Sequence, residues 1–352
     1  MKRLVSILVA AVVLTAVSGC YFNFSNSSGW SDSNLKAVTN VVQSAAIPAG
    51  LKNLDVINAF GAIHITGGAN GPFGWSQQLN VHARTDADVQ QLASNLLCRA
   101  DLAGDRLTLV VTVPDARGSQ SFQSDLEITV PKSVAVQTHD QYGRTEINGL
   151  DGDVDAADKF GALELRDLRG KVHAETSYAA LTIDGTGPAT LKNQFGAIDA
   201  ANVQGPLDAE TSYAALDARD IAGTVDLRNQ FGRVAAESIT GSVRAETSYG
   251  AMGITGPGGS FICDNQFGSI SVRATSPALT NLEARTSYAA LEVRLPAGLK
   301  PALQAHTSYA DIKSDFPVLM KPRGQDPFAG LPPGTPRINL QNQNGKIRVI
   351  GE

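Results

Sequence analysis

From Gln141 to the C-terminus, apolar and polar residues alternate in short runs such as Val243-Arg-Ala-Glu246, a pattern that predicts β-strands with one buried face. In nearly every repeat a glycine stands eight positions before an aromatic residue. Most steps between these aromatic residues are 18 residues long, one is 17, and the last two are 21. We therefore predict an all-β fold in which each repeat packs on its neighbours. The aromatic positions are Tyr142, Phe160, Tyr178, Phe195, Tyr213, Phe231, Tyr249, Phe267, Tyr288 and Tyr309.

The length of one coil follows from a column of charges. The repeat alternates between Thr-Ser-Tyr-Ala and Asn-Gln-Phe-Gly, so a coil contains either 18 or 36 residues. Three residues before each aromatic position the charge alternates at nearly every step, as in Glu175, Lys192 and Glu210. Coils of 36 residues would stack Glu175 on Glu210, and like charges directly opposite are destabilising. We predict a single-chain parallel β-solenoid with about 18 residues per coil.

The corners of this solenoid are predicted to be held by two neighbouring columns. The aromatic residues would form a ladder along the stack, since stacked aromatic pairs are stabilising. Two positions before them Asn and Thr alternate, as in Thr176 and Asn193, and these side chains would pass hydrogen bonds from coil to coil. The glycine column predicts a tight corner that needs either a positive φ or a close approach of the backbone.

The ends of the solenoid differ from its middle. Residues 46–138 are predicted to form a first coil, containing Asn58-Ala-Phe-Gly61, and a β-rich cap over the N-terminal end. In the cap, strands are predicted over 79–83, 107–113 and 126–130, and one short helix over 88–97 with Thr85 or Asp86 as its N-cap. Regular coils are predicted over 139–352. A Pro/Gly-rich loop at 321–336 interrupts them, and the chain returns over 337–350 to close the last coil.

The first 20 residues are typical of a targeting segment. Lys2 and Arg3 precede an apolar stretch that ends in Val-Ser-Gly-Cys20, which resembles a bacterial lipobox. We predict a lipoprotein signal peptide over 1–19, a lipid on Cys20 that anchors the chain to the membrane, and a flexible tether over 20–45 that is rich in Ser and Asn. Tyr21 follows the cysteine, where an Asp would signal inner-membrane retention, so the outer membrane of the cell envelope is favoured.

Charge and cysteine content restrict the chemistry. The net charge is −5, and loss of Lys2 and Arg3 with the signal peptide would make it −7, which argues against a nucleic-acid partner. Cys263 falls in an inward column and is expected to behave as a small buried apolar residue. A disulfide between Cys98 and Cys263 remains an open alternative in an oxidising compartment. The spacing of cysteine and histidine fits no zinc site.

Other candidates for chemistry are weak. The five histidines are scattered, with His173 and His306 on outward columns. Asp151, Asp153 and Asp155 have the spacing of a calcium loop but lack its glycine and its final Glu, so an outward acidic row is the better interpretation. We predict no catalytic residue, no metal site and no cofactor.

The whole pattern resembles a bacterial envelope domain of unknown function, the putative adhesin family. The resemblance rests on strand–corner–strand repeats preceded by the step Ile128-Thr-Val-Pro131 and a first regular coil at Gln141-Tyr142-Gly143, and it covers roughly residues 46–352. The corners depart from the family's usual Ser-Gly by placing Phe or Tyr before Gly or Ala. The resemblance implies a right-handed parallel β-helix, and the family has no established catalytic residues to carry over to this chain.

Two functional hypotheses follow. The preferred one is a non-enzymatic envelope lipoprotein, adhesin-like or a scaffold, that presents a repetitive face to a protein, a glycan or another copy of itself. The alternative is a carbohydrate-binding or carbohydrate-active protein that uses the aromatic ladder; a regulatory envelope-stress component is a third and weaker interpretation. Aromatic rings that face solvent would favour glycan stacking, and rings packed into the corner would not.

Overall fold

The computed structural model describes residues 21–23, 37–113, 121–319 and 328–352. Its N-terminal part contains eight strands and a helix. In chain order these are β1 (Tyr21–Asn23), β2 (Ala37–Ala46), β3 (Asn53–Ile57), β4 (Ile63–Gly68), β5 (Gly74–Ala83), α1 (Asp86–Leu96), β6 (Arg99–Ala103), β7 (Arg106–Val110) and β8 (Ser121–Pro131).

The remaining elements are short strands of the repeating region. They are β9 (Ala135–Asp140), β10 (Thr145–Asn148), β11 (Val154–Asp158), β12 (Leu163–Leu168), β13 (Val172–Thr176), β14 (Leu181–Thr186), β15 (Ala189–Asn193), β16 (Ile198–Ala201), β17 (Leu207–Glu210), β18 (Leu216–Arg219), β19 (Val225–Arg228), β20 (Val234–Glu237), β21 (Val243–Thr247), β22 (Met252–Gly256), β23 (Ser260–Asn265), β24 (Ile270–Ala274), β25 (Asn281–Thr286), β26 (Leu291–Leu295), β27 (Ala302–His306), β28 (Ile312–Ser314), β29 (Arg337–Asn342) and β30 (Ile347–Gly351).

These strands form two long sheets that face each other across one core, which confirms the predicted parallel β-solenoid. Sheet A has 16 strands, and 13 of them belong to the solenoid once the cap strands β1, β2 and β5 are set aside. Sheet B has 14, and 13 remain without β6. Within each sheet the pairing is parallel with an offset of one coil, as in Val154 beside Val172 and Leu163 beside Leu181. One coil is therefore 18 residues, and the coils form 13 layers in the described residues.

Each layer turns at two corners. The corner that leads from sheet B to sheet A contains the aromatic position, as Tyr178 lies between β13 and β14, and we call it the ladder corner. The opposite corner leads back from sheet A to sheet B and contains the glycine column, so we call it the glycine corner. At Gly223 an added Cβ would collide with the backbone of Gly205 in the layer before, and its φ is not positive. Close backbone approach, rather than an unusual φ, likewise explains Gly152, Gly170 and Gly241 of that column, whereas at Gly259 a Cβ would have room.

The core lies between the sheets and is built from the inward columns. Leu163, Leu181 and their equivalents are fully buried in sheet A. In sheet B the column that contains Ala174, Leu191 and Ala209 alternates small and large side chains, all of them fully buried. Because those residues are direct neighbours across layers, the large side chains fill the space that the small ones leave.

The charge column has the predicted register. Glu175 lies beside Lys192, Lys192 beside Glu210, and Glu210 beside Arg228, so acids and bases alternate along the outside of sheet B. One step, Glu246 beside Asp264, brings two acids together. Arg285 lies 3.6 Å from Asp264 along this column. Arg228 instead reaches sideways and pairs with Asp226 of its own layer and Asp208 of the preceding layer, both outside the column.

At both ends of the solenoid the order of the layers differs from the order of the coils along the chain, which the sequence pattern did not predict. The C-terminal segment, predicted to close the last coil, lies instead between the layer of β25 and β26 and the layer of β27 and β28. The final layer is thus β27–β28. The chain leaves a gap of one layer before it, and β29 and β30 later fill that gap. At the other end, β3 and β4 lie between the layer of β7 and β8 and the layer of β9 and β10.

The N-terminal cap extends sheet A with antiparallel strands, and α1 packs against β2 and β5. Thr85 is the N-cap of α1, since its side chain accepts a hydrogen bond from the Asp88 amide, and the helix runs over Asp86–Leu96 rather than 88–97. The predicted tether over 20–45 needs correction: Ala37–Ala46 pairs along its whole length with β5, so this part belongs to the sheet. Residues 1–20, which include the predicted signal peptide and Cys20, lie outside the described residues.

Candidate binding surfaces

The aromatic ladder forms as predicted and starts one layer earlier. Ten rings stack in nine consecutive pairs, with ring centroids 4.7–5.2 Å apart and interplanar angles of 5–15°. The first ring is Phe60 of the N-terminal coil, with Phe122 packed edge-on against it at 5.0 Å. Its motif indicated a coil, but Phe60 was not among the predicted ladder residues. The last stacked ring is Tyr288.

Tyr309 does not join the ladder, which corrects the prediction for this residue. The returning C-terminal segment places Asn342 beside Thr286, so Asn344 takes the ladder position between Tyr288 and the final layer. Tyr309 is consequently the most exposed aromatic residue of the set, at 78 %. The other nine predicted residues are all members of the stack.

The ladder presents ring edges, and not ring faces, to solvent. The tyrosines are about half exposed, as for Tyr213 at 52 %, and the phenylalanines less so, as for Phe231 at 41 %. Inside the ladder each ring has another ring on both faces at stacking distance, so a sugar has no face to stack on. Solvent exposure alone therefore does not favour the ladder as a glycan platform.

Hydrogen bonds fix the same corner from inside, as the alternation of Asn and Thr predicted. The hydroxyl of Thr211 donates to the carbonyl oxygen of Gly196 in the preceding layer at 3.0 Å. The carboxamide of Asn229 donates to the carbonyl oxygen of Ala214 at 2.8 Å. These side chains are buried, so each satisfies a backbone carbonyl that water does not reach. The ladder corner is thus a structural seam.

A different surface has the shape of a binding site. A groove of about 860 Å³ runs along the outside of sheet B and crosses ten consecutive strands, from β7 to β23. At the usual strand spacing this length is about 45 Å. We call it the sheet B groove. Its lining is more apolar than polar, with Pro188, Pro206 and Ile262 among it. Its hydroxyls, carboxylates and bases include Asp55, Arg106, Asp155, Lys171, His173, Thr190, Asp208, Thr224, Asp226, Ser242 and Arg244.

The electrostatics of the groove vary along its length. At one end Arg106 pairs with Asp55 at 2.7 Å. In the middle Asp208 and Asp226 are direct neighbours across layers, and Arg228 pairs with both. Burial raises the pKa of Asp226 and the nearby Asp208 adds to the rise, whereas Arg228 opposes it. One oxygen of Asp226 is buried and has no partner.

The acidic row of Asp151, Asp153 and Asp155 lies on the outside, as predicted, and each of the three side chains has a partner. Asp151 lies 3.5 Å from the guanidinium of Arg169, and Asp153 accepts a hydrogen bond from the Lys171 amide at 2.8 Å. Asp155 lies within hydrogen-bond distance of Gln137. His173 and His306 are exposed as predicted. Among the described residues, no group of three or more His, Cys, Asp or Glu side chains is placed to hold a metal ion.

The two cysteines that the structure describes are both free and buried, which settles the open disulfide alternative in favour of thiols. Cys98 lies in the cap and Cys263 in the inward column of β23. Burial raises the pKa of each thiol to about 12, so both stay protonated. Where the chain is described, no helix is both long and apolar enough to span a membrane.

The chain is similar to solved structures of bacterial proteins that are described as putative adhesins. A putative cell adhesion protein from Clostridium sporogenes is 9 % identical over 89 % of this chain and all of that chain, with a TM-score of 0.20. A putative adhesin from Parabacteroides distasonis is 11 % identical over 88 % of this chain and 97 % of that chain, with a TM-score of 0.29. A putative adhesin from Bacteroides fragilis is 12 % identical over the same shares, with a TM-score of 0.19.

These neighbours carry the family description that the sequence resemblance indicated. No family model and no curated protein matches the chain. At such identities and TM-scores the likeness identifies no functional residue of this chain.

Proposed function

We propose that this protein is a non-enzymatic lipoprotein of the bacterial cell envelope with an adhesin-like role, and that the sheet B groove binds an extended glycan chain. A lipid on Cys20 would hold the solenoid at the membrane, with the outer membrane favoured by Tyr21. The observation that carries the proposal is the groove itself, which crosses ten layers in one direction.

The lining of the groove supports a glycan as the partner. Carboxylates and hydroxyls such as Asp155, Thr190 and Ser242 are suitable partners for sugar hydroxyl groups. A long, shallow surface also allows many weak contacts along an extended polymer.

Steric filling of the groove tests this proposal. Thr190→Trp on β15 places a large ring in the middle of the groove, and Thr182→Trp on the neighbouring strand β14 places the same ring on the outside of sheet A. Both threonines are outward and half-buried, so the pair is matched in chemistry and in burial. Binding of the full chain to a glycan array should be lost in Thr190→Trp and retained in Thr182→Trp. Equal binding by the two variants would refute the groove as the site.

A carbohydrate-active enzyme is the second candidate, and the pair Asp208 and Asp226 favours it. Two carboxylates in one cleft, one with a raised pKa, are the arrangement that glycoside hydrolysis uses. The contacts of both with Arg228 argue for ionised, paired side chains rather than for a free acid. Release of new reducing ends by the wild type but not by Asp226→Asn would establish this candidate. Binding without release by both would exclude it for the glycan tested.

A further inference from the structure

Most asparagines buried in the ladder corner share one hydrogen-bonding pattern, and two aspartates in the same column depart from it. Five layers have an Asn at this position, Asn58 among them, and four share one hydrogen-bonding pattern: Asn193, Asn229, Asn265 and Asn342. Each Nδ2 donates to a carbonyl oxygen of the preceding layer's corner at 2.7–2.8 Å. Each Oδ1 accepts from the glycine amide of its own corner at 2.9–3.2 Å. This position in the corner therefore needs a side chain that supplies one hydrogen-bond donor and one acceptor.

Two neighbouring layers near the N-terminal end have an aspartate at this position instead. Asp140 and Asp158 are direct partners across β9 and β11, and they are 8 % and 5 % exposed. Oδ1 of Asp158 accepts from the Gly161 amide at 2.8 Å, as the Asn oxygens do. Oδ1 of Asp140 accepts from the Gln141 amide at 2.7 Å. The second oxygen of each carboxyl is buried and has no partner.

Those second oxygens occupy the place of the Asn nitrogen. A Cβ built on Gly196 would meet two atoms, Nδ2 of Asn193 and the carbonyl oxygen of Ala179 that it donates to. A Cβ built on Gly161 would meet the corresponding pair, Oδ2 of Asp158 and the carbonyl oxygen of Gly143. At Gly143 the pair is Oδ2 of Asp140 and the carbonyl oxygen of Gly61. Each carboxyl oxygen thus faces a carbonyl oxygen, and two acceptors cannot form a hydrogen bond unless one carries a proton.

Among the described residues, no cation is placed to compensate these two carboxyls. The layer before contributes Asn58 and the layer after contributes Thr176 to this column, and neither ionises; Thr138 of the same strand and Thr145 of β10 are also buried and uncharged. The adjacent His139, Lys159 and Arg144 are exposed, and Arg144 pairs with Glu146 and Glu164 on the outer surface. Burial raises the pKa of Asp140 to about 7, with the charge of Asp158 as a further cause. Burial likewise raises the pKa of Asp158.

We propose that Asp140 and Asp158 form a proton-dependent lock in the N-terminal layers, in which each protonated Oδ2 donates to the carbonyl oxygen of the corner before it. The protonated carboxyl then reproduces the contacts of an Asn. Deprotonation removes the donor and leaves two buried like charges in adjacent layers, which loosens the corner.

The sign of the pH effect follows from the raised pKa. A carboxyl whose pKa is higher in the folded than in the unfolded state stabilises the fold most below its unfolded pKa, here 3.8, and loses that contribution as pH rises through its folded pKa of about 7. For Asp140 the difference is about three pKa units, which corresponds to about a thousandfold change in the ratio of folded to unfolded protein. The N-terminal layers should therefore be most stable in acid, and their unfolding between these pH values should release protons.

Asparagine substitutions test the lock, because Asn is always a donor at this position. Denaturant unfolding of the full chain, from pH 4 to pH 9, should show that Asp140→Asn/Asp158→Asn is more stable than wild type above pH 7. At pH 4 the two should be similar. Hydrogen exchange should place the alkaline loss of protection in the wild type in β9 to β12. A double variant that keeps the wild-type slope, or is less stable at every pH, would overturn the proposal.

A carboxyl introduced in another layer of the same column tests the effect of pH without relying on the two native aspartates. Asn193→Asp should acquire a new acid-stabilised slope, and Asn148→Asp, which changes an exposed Asn in the same manner, should not. If calcium added at pH 8 stabilises the wild type as strongly as acid does, the pair binds a cation instead and the proposal is wrong.

Discussion

Removal of a stacked ring should lower the stability of the protein much more than removal of Tyr309, which shares the sequence motif but lies outside the stack. Phe231 stacks on Tyr213 at 4.9 Å and on Tyr249 at 5.2 Å. Roughly 60 % of its surface is buried, so loss of its ring removes on the order of 100 Å² of apolar contact, or about 2.5 kcal/mol. Two stacked pairs at their lower value add about 1 kcal/mol. Phe231→Ala should therefore destabilise the solenoid by about 3.5 kcal/mol.

Tyr309→Ala is the matched control. Its residue follows the same Thr-Ser motif, but its ring is 78 % exposed and lies two layers from Tyr288. Its loss should cost no more than about 0.5 kcal/mol, as for ordinary surface substitutions. Guanidinium unfolding followed by far-UV circular dichroism measures both. Similar losses for the two variants, or a loss below about 1 kcal/mol for Phe231→Ala, would show that stacking does not hold the coils together.

Three further predictions concern the other columns. Leu191→Ala should cost about 2–5 kcal/mol, because the flanking alanines cannot fill the space, and a loss below about 1 kcal/mol in denaturant unfolding would contradict the size alternation. Gly232→Ala should cost about 1–3 kcal/mol, because its Cβ would strike the carbonyl oxygen of Ala214; an unchanged melting temperature would disprove that close approach. Arg228→Glu should cost less than about 1 kcal/mol, since its pair with Asp208 is exposed, and the cost should shrink in high salt; a salt-independent loss would count against an ionic cause.

The layers could be predicted from the sequence because residues in one column are neighbours in space, so their charges alternate from layer to layer. The alternation of Glu175, Lys192 and Glu210 is explicable only if strands 18 residues apart are adjacent, and the register shows that they are. The interleaved ends could not be predicted in this way. Thr307 starts the same motif whether its neighbour is Thr286 or Asn342, so the column is equally satisfied by either order.

The candidate sites were predictable to different degrees. The ladder residues follow from spacing, but whether rings offer faces or edges depends on their tilt, which spacing does not contain. The sheet B groove depends on the curvature of many strands together, and no single column signals it. Asp140 and Asp158 could have been found, since they occupy the column of Asn and Thr in the printed sequence. Their burial, which raises the pKa, became visible only with the fold.

The two long surfaces differ in how their residues repeat, and this difference bears on function. At the ladder corner the same few residue types return in every second layer, which is what stacking requires and which gives a ligand no distinct place to bind. Along the sheet B groove the outward column varies, through Asp155, His173, Thr190, Asp208, Asp226 and Arg244, and only the two aspartates repeat in adjacent layers. Recognition of one partner needs different groups at different positions, whereas cohesion needs the same group at each. The groove therefore has the variation that the proposed glycan binding would use, and the ladder has the regularity that holds the solenoid in shape.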